Sequence, residues 1–318
     1  MGKLLSYRIK SRMLFYKSKN EVKFLHKYLR AVGFSEYTEK KQIQSLVKEI
    51  IVHADERSCT TLTEKSLIAE FDRNFAEDIG IAVCGEFDDE DNYTFDYYFP
   101  YLRSETVSSG EDISIERHAA KESYAGICDD PRVGVSLIFY LQNMIPYLKL
   151  QGEGRLPIRG TSLNLSALSC HGTIMMPIQK SERQKKKIAR DTVERNRLIQ
   201  AARGGDEEAI ENLTLEDMDT YTAISKKIQK ADIFSLVDTY FMPYGVECDQ
   251  YSILGEITDM KRVKNSMTGE NVYILTVCCN DLNMKVGINS MDLMGEPAVG
   301  RRFKGSVWLQ GYVNYPDA

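Results

Sequence analysis

The fold of this chain is decided by residues 252–313, SILGEITDMKRVKNSMTGENVYILTVCCNDLNMKVGINSMDLMGEPAVGRRFKGSVWLQGYV. Strand-length apolar segments alternate here with residues that favour turns, a pattern typical of small barrels and sandwiches. A glycine-containing loop, residues 265–270, separates two such segments, and Asn280-Asp281 suits a tight reversal because both residues tolerate positive φ. The pattern predicts a small β-barrel, which we assign to residues 246–318.

Four strands are predicted for this barrel: Ser252–Val263, Val272–Cys279, Met284–Asn289 and Arg302–Tyr312. Their outline resembles an oligonucleotide-binding-type barrel, which would hold nucleic acid across one face with basic side chains and stacking aromatics. The candidate binding residues are Tyr273, Arg302, Trp308 and Tyr312. The segment carries seven Lys or Arg against six Asp or Glu, so counterion release would contribute little. Single-stranded nucleic-acid binding is therefore an alternative prediction and not the favoured one.

The composition of the whole chain is that of an ordinary globular protein. It has 318 residues, of which 43% are hydrophobic and 27% are charged, enough for two domains. The net charge of −5 argues against bulk attraction to nucleic acid or to anionic membranes. No apolar run is long enough to span a bilayer and no secretory signal is recognisable, so we predict a cytoplasmic protein without a membrane span.

Cysteine usage and motif content limit the chemistry. The seven cysteines are an odd set without a C-x-x-C pair, which predicts reduced thiols and neither a disulfide framework nor a zinc site. Dinucleotide, Walker and nucleophile-elbow patterns do not occur in the sequence. We therefore predict no cofactor and no bound metal.

Residues 1–20 are rich in Lys and Arg between short apolar groups, which predicts a basic, disordered leader. An amphipathic helix at a membrane surface is the alternative for this segment. Met13 is an alternative start to Met1.

Residues 21–180 are predicted to form an α+β domain, with helices set against a mainly antiparallel sheet. Helical spacing of apolar residues predicts three helices. The first contains Val22, Leu25, Leu29 and Val32 and is capped by Gly33, and the second contains Ile43, Leu46, Val47, Ile50 and Ile51. The third contains Ile68, Phe71 and Phe75. Strands are predicted at Gly80–Phe87, Tyr93–Tyr101, Ile113–Arg117, Val133–Leu141, Thr161–Leu168 and Thr173–Ile178. His171 is assigned to a turn between the last two. Pro146 would suit the first turn of a helix at Asn143–Leu150, where periodicity does not separate helix from strand.

Residues 181–245 are predicted to form a helical connector between the two domains. The spacing of Ser181 and Gln184 matches a capping box, and the helix is predicted to run to Arg203. A second connector helix is predicted from Ile233, Leu236, Val237, Tyr240 and Phe241. The first helix is basic and an acidic block follows it, so the two charges screen each other and a solvated connector is favoured over a nucleic-acid-binding helix.

Five runs carry a resemblance to a known family: residues 80–86, 115–130, 132–143, 205–217 and 238–249. They are similar to a family of clostridial proteins described only as a domain of unknown function. The likeness covers most of the chain after the leader. Since no activity is attached to that family, the resemblance implies no site residue, cofactor or partner.

The stretch 116–132 concentrates acid, base, nucleophile and cation types. Its candidate catalytic residues are Glu116, His118, Cys128, Asp129 and Arg132. Cys128 and His118 would form a thiolate–imidazolium pair if the fold brought them within hydrogen-bond reach. Mixed polar stretches are also common on globular surfaces, so a hydrolase or transferase centred here is the second alternative.

These observations favour a non-enzymatic binding or protein-interaction module. Its predicted partner is an unidentified protein or a second copy of the chain. Trp308, at the far end of the helical connector and barrel, would belong to the docking surface.

Overall fold

The computed structural model describes residues 17–18, 26–63, 66–118, 123–157, 159–178, 182–215 and 237–316. Within these residues the strands form one sheet of five strands and one of ten, and helices pack against them. Most neighbouring strands run antiparallel. The predicted α+β fold class is therefore confirmed.

The first sheet is an antiparallel meander with a two-residue strand added in parallel at one edge. Its strands are β1 Lys17–Ser18, β2 Glu56–Thr63, β3 Ser66–Ala76, β4 Ile79–Phe87 and β5 Tyr93–Leu102. They lie in the order β1-β5-β4-β3-β2. The strands predicted at Gly80–Phe87 and Tyr93–Tyr101 are confirmed as the hairpin of β4 and β5, and Asp91 in the turn between them has a positive φ of 63°.

Helices lie on both faces of this sheet. Helix α1, Lys40–Val52, packs against β3 and β4, and Arg73 of β3 donates to the Glu49 carboxylate of α1 at 3.0 Å. Successive side chains of a strand point to opposite faces, so Asp72 points away from α1. Helix α2, Met144–Gly152, packs against β2 and β3 on that second face.

Two of the three predicted N-terminal helices are confirmed, and the third is wrong. A 3₁₀ helix, Lys27–Val32, ends at Gly33, whose φ of 88° is in the left-handed region that favours glycine. Helix α1 buries all five of its predicted apolar residues. The segment 68–75 is strand β3, because Glu70 and Asp72 are buried as well and neighbouring strands pair on both sides. Val22 and Leu25 lie outside the described residues.

The second sheet contains a closed five-stranded barrel. Its strands are β9 Ser162–Met175, β11 Gln250–Lys264, β12 Asn271–Cys279, β13 Leu282–Asn289 and β15 Arg302–Asn314. They pair in the order β11-β12-β13-β9-β15, and β15 pairs back with β11. The four predicted barrel strands are confirmed, as is the reversal at Asn280 and Asp281, which have φ values of 50° and 61°.

The fifth barrel strand, β9, comes from the range predicted for the α+β domain. It was expected as two strands with a turn at His171, and this is wrong because β15 pairs with it over its whole length. A register shift opposite Ser306 and Val307 bends the pair without reversing the chain. The barrel therefore contains strands from both sides of the predicted domain boundaries at residues 180 and 246. Those boundaries remain predictions of how the chain divides into folding units.

The other strands extend the barrel sheet. They are β6 Ile113–Arg117, β7 Tyr124–Cys128, β8 Leu137–Leu141, β10 Tyr240–Pro243 and β14 Leu293–Met294. Strands β8, β7 and β6 follow outward from β15, whereas β10 pairs with β11 and β14 with β9. The helix predicted from Val237, Tyr240 and Phe241 is wrong for the described residues. Tyr240 and Phe241 belong to strand β10, and Phe241 is buried where β10 pairs with β11. Ile233 and Leu236 lie outside the described residues.

The connector contains helix α3, Glu182–Arg203, which ends before Gly204-Gly205 as predicted. Residues 207–215 are helical too, while Ser181 and most of the predicted leader lie outside the described residues. Helix α2 has Pro146 in its first turn, as expected for a helix there. None of the helices in the described ranges is long and apolar enough to cross a membrane.

Candidate functional site

The predicted catalytic stretch does not bring its cysteine and histidine together. Strand β6 pairs with β7 so that Ile113 lies opposite Cys128. His118 lies one residue beyond the other end of β6, roughly 17 Å away along a strand. Glu116 is exposed on the same strand. The hairpin therefore forms no thiolate–imidazolium pair.

Arg132 is bound by a buried carboxylate next to the predicted Asp129. Its Nε donates to Asp130 Oδ1 at 2.8 Å, and Ser109 Oγ donates to the other oxygen at 2.6 Å. Although burial raises it, these hydrogen bonds hold the pKa of Asp130 below its ordinary value. Burial raises the pKa of the Cys128 thiol to about 11, so it is protonated at neutral pH. Asp129 is exposed, and the group ties neighbouring loops together.

Two of the predicted binding residues on the barrel are covered. Trp308 is 5% exposed, its Nε1 donates to Asp249 at 2.7 Å, and its ring stacks on Tyr28 at 5.3 Å between centroids. Arg302 is also 5% exposed and donates to the backbone oxygen of Met176 at 3.1 Å. Both side chains are already used inside the fold, so the docking surface expected around Trp308 does not form.

The other two predicted binding residues are partly exposed. Tyr273 lies beneath Arg262, whose guanidinium is 5.8 Å from the centre of the ring. Tyr312 of β15 borders three neighbouring cavities of about 150, 440 and 570 Å³. Of the predicted binding residues, Tyr312 therefore leads to the most distinctive site of the described chain.

That site lies on the face of the first sheet that α2 covers. The register of β2, β3 and β4 places Ser58, Glu70 and Cys84 in one row across the sheet. The next row holds Glu56 and Asp72. Glu70 is 6% exposed and Asp72 is 8% exposed, so two carboxyl groups are buried side by side.

Arg103, just beyond the end of β5, joins Asp72 to Glu56. One terminal nitrogen donates to Glu56 Oε1 at 3.1 Å, and the other donates to Asp72 Oδ2. The guanidinium also lies 4.9 Å from the centre of the Tyr101 ring. We call Glu56, Glu70, Asp72 and Arg103 the carboxylate cleft. It contains three carboxyl groups and one guanidinium.

Two buried oxygens of this region lack a partner among the described residues. Asp72 Oδ1 and Ser104 Oγ have no hydrogen bond within the part of the chain that the structure describes. Glu70 Oε2, by contrast, accepts from the Cys84 thiol at 3.6 Å. An unsatisfied buried polar group costs on the order of 1–3 kcal/mol, so each is a position where a donor would be stabilising.

Ser104 borders the neighbouring cavity of about 570 Å³, and Glu70 and Asp72 border a cavity of about 150 Å³. Its walls include the carboxylate cleft together with Ser58, Ala82, Phe99, Tyr101, Gln142, Asn143, Pro146 and Tyr312. The Tyr101 ring lies across Gly80, where a Cβ would overlap it, and its hydroxyl donates to Asn74 at 2.9 Å. Glycine at that position therefore shapes one wall of the cavity.

Burial decides the protonation of the carboxylate cleft. It raises the pKa of Asp72 to about 6 against the opposing charge of Arg103, so Asp72 is mostly ionised at neutral pH. Burial and then the charge of Asp72 raise the pKa of Glu70 well above its ordinary value, so Glu70 is a neutral acid. Burial also raises the pKa of Cys84, which remains a thiol.

Glu70, Asp72 and Arg103 are absent from the predicted site residues. The segment that holds the two acids is predicted as a helix from Ile68, Phe71 and Phe75, and that prediction does not draw attention to the acids between them. A usable signal was present, because acids alternate with apolar residues in Ala69-Glu70-Phe71-Asp72. In the described part of the chain, no group of three or more His, Cys, Asp or Glu is placed to hold a metal ion.

Comparison with known families matches residues 29–311 to a domain of unknown function described from an E. rectale gene (DUF3881). The match covers most of the chain, so this protein belongs to that family. It agrees with the resemblance stated from the sequence. No curated protein and no solved structure matches the chain.

Proposed function

We propose that this protein is a non-enzymatic binding protein whose ligand is a small polar organic molecule held in the carboxylate cleft. The observation that carries the proposal is Asp72 Oδ1, a buried oxygen without a partner in the described chain, in the wall of a cavity. Buried polar atoms are nearly always hydrogen-bonded, and exceptions in a cavity wall mark a place for a ligand or an ordered water. The cavities that share Tyr312 provide a route to the surface.

Binding is favoured over catalysis by the state of the neighbouring nucleophile. The thiol of Cys84 is fully buried and protonated, and its hydrogen bond goes to Glu70. A thiol in this environment is a poor nucleophile, because the thiolate is the reactive form. The cleft supplies hydrogen-bond acceptors, and its guanidinium, that of Arg103, is already bound to Glu56 and Asp72.

The test is a screen of small polar compounds by thermal unfolding, followed by calorimetric titration of those that raise the unfolding temperature. Ser58→Leu would fill the cavity from edge strand β2, and we expect it to abolish binding by any true ligand. The matched control is Thr61→Leu, the same change at an exposed position of the same strand. Binding that survives Ser58→Leu would place the ligand elsewhere and contradict the proposal.

A second candidate function is self-association through the barrel. Met242, Tyr244 and Met294 are 51%, 53% and 71% exposed, and the last two border a groove of about 420 Å³. The self-complementary contact of a two-fold dimer would bury these exposed apolar side chains. The solution mass decides this candidate: we expect a dimer that Met294→Ser weakens, and a monomer at high concentration would contradict it.

We further propose a cytoplasmic location, supported by the cysteines. All seven are free thiols in the structure, as suits a reducing compartment. The likeness of the barrel to the oligonucleotide-binding type is supported by its five-stranded closure. Nucleic-acid binding is the weaker proposal, because Trp308 is covered.

A further inference from the structure

We infer that the ligand of the carboxylate cleft carries a primary alkylammonium group. This inference rests on the proposed function and adds the chemical class of the ligand. Its first support is the charge of the cavity wall. Glu56 and Asp72 share the single guanidinium of Arg103, and Glu70 stands beside them. The wall therefore holds more acid than base, which favours a cation.

The second support is the kind of hydrogen bond that the wall still offers. Asp72 Oδ1 has no partner in the described part of the chain. An ionised carboxylate only accepts, while an ammonium group carries three donors and no acceptor. An ammonium group beside Asp72 would give this oxygen a donor, whereas a carboxylate or phosphate ligand would be repelled by Asp72.

The third support is the rest of the lining. Phe99, Tyr101 and Tyr312 border the cavity, and aromatic rings suit both a cation and an alkyl chain. A volume of about 150 Å³ corresponds to roughly five water-sized groups. That is the size of a short alkylamine with four carbons. A planar guanidinium ligand fits less well, because Arg103 already occupies the two-pronged site between Glu56 and Asp72.

The acidic surroundings extend beyond the cavity. The adjacent space of about 570 Å³ is bordered by Arg103 and Tyr312 and also by Glu77, Asp78 and Glu105. Two of these acids pair with lysines, as Lys285 donates to Asp78 at 2.9 Å and Lys261 pairs with Glu77. The approach to the cavity thus carries a further carboxylate, Glu105, which would attract a cationic ligand.

The experiment compares three probes of equal length: n-butylammonium chloride, 1-butanol and sodium butyrate. Each is titrated into the full chain by calorimetry and by protein NMR at constant ionic strength. We expect n-butylammonium to bind, 1-butanol to bind at least tenfold more weakly and butyrate not to bind. Asp72→Asn should weaken n-butylammonium at least tenfold, while Asp129→Asn, which removes an exposed carboxylate, should leave its affinity unchanged.

The outcomes separate this inference from the proposed function. If 1-butanol binds as tightly as n-butylammonium and Ser58→Leu blocks both, the cleft is a binding site but the ammonium class is wrong. If n-butylammonium does not bind at all, the inference is overturned, and the compound screen alone decides the proposed function. Should Asp72→Asn fail to fold by circular dichroism, Glu56→Gln, which removes another carboxylate of the same wall, provides the second variant, with an expected loss of severalfold in n-butylammonium affinity.

Discussion

The barrel and the first sheet differ in what their covered faces contain. Inside the barrel, Val286, Phe303 and Leu309 are fully buried apolar residues. The α2-facing side of the first sheet buries Glu70 and Asp72 instead, and no described residue satisfies Asp72 Oδ1. Apolar burial stabilises a fold, whereas a buried acid without a full set of partners reduces stability. The barrel therefore has the character of a scaffold, and the first sheet that of a site.

The largest expected effect tests the barrel as scaffold. Phe303→Ala should lower the free energy of unfolding by about 3–5 kcal/mol, because it removes a fully buried ring and leaves a cavity. Urea denaturation measures this. Val299→Ala is the control, since Val299 is 62% exposed and should change stability by under about 0.5 kcal/mol.

The same variant sharpens the comparison with the first sheet. The molecules that stay folded should bind a ligand of the carboxylate cleft with unchanged affinity, because Phe303 does not line that cavity. An affinity that falls together with stability would show that barrel and cleft act as one unit.

The barrel strands were predictable because their signals are local. Turn residues such as Asn280 and Asp281 mark where the chain reverses, and each strand lies between two such marks. The membership of β9 was not predictable in this way. Its pairing with β13 and β15 joins residues more than a hundred positions apart, and the sequence of β9 itself does not indicate which strands it will pair with.

The site was hidden for a different physical reason. The spacing of Ile68, Phe71 and Phe75 predicts a helix, and a helix with that apolar face would turn Glu70 and Asp72 toward solvent. Both faces of β3 are in fact covered, by α1 and by α2, and the acids are buried. Tyr312 was found as a candidate because it is aromatic on a barrel strand, yet it borders the cleft as well.

The second prediction concerns pH and tests whether the carboxylate cleft opposes folding. The pKa of Asp72 is about 6 in the folded chain against an ordinary value of 3.8. Between these values the folded state binds more protons than the unfolded state, so this group makes stability fall as pH rises from about 4 to 6. Relative to wild type, Asp72→Asn should therefore gain on the order of 2–3 kcal/mol between pH 4 and pH 7.

Urea denaturation at several pH values measures this difference, and Asp129→Asn controls for removing an exposed carboxylate. A constant difference between Asp72→Asn and wild type across the range would mean that Asp72 titrates normally. The burial of Asp72 would then not oppose folding, and the first sheet would not differ from the barrel in this respect.

The third prediction concerns the wall of the cavity. Gly80→Ala should lower stability by about 1–3 kcal/mol, because the new Cβ overlaps both the Tyr101 ring and the backbone oxygen of Arg73 and forces them apart. Ligand affinity should fall with it, since Tyr101 borders the cavity. Gly110→Ala is the matched control, because a Cβ there meets nothing within 4 Å. Equal effects of the two changes would show that the position of Tyr101 is not fixed by Gly80.

The smallest expected effect separates the two buried acids from each other. Near pH 4, Glu70→Gln should change stability by less than about 1 kcal/mol, because the acid is largely protonated in both the folded and the unfolded chain and the amide oxygen can still accept from Cys84. Burial raises the pKa of Glu70 in the folded chain well above its ordinary value, so at higher pH the unfolded chain loses this proton first, and Glu70→Gln should become more stable relative to wild type as pH rises from 5 to 8. Denaturation at pH 4, 6, 7 and 8 measures this difference, and a difference that stays constant from pH 6 to pH 8 would show that the folded cleft holds two ionised acids beside Arg103.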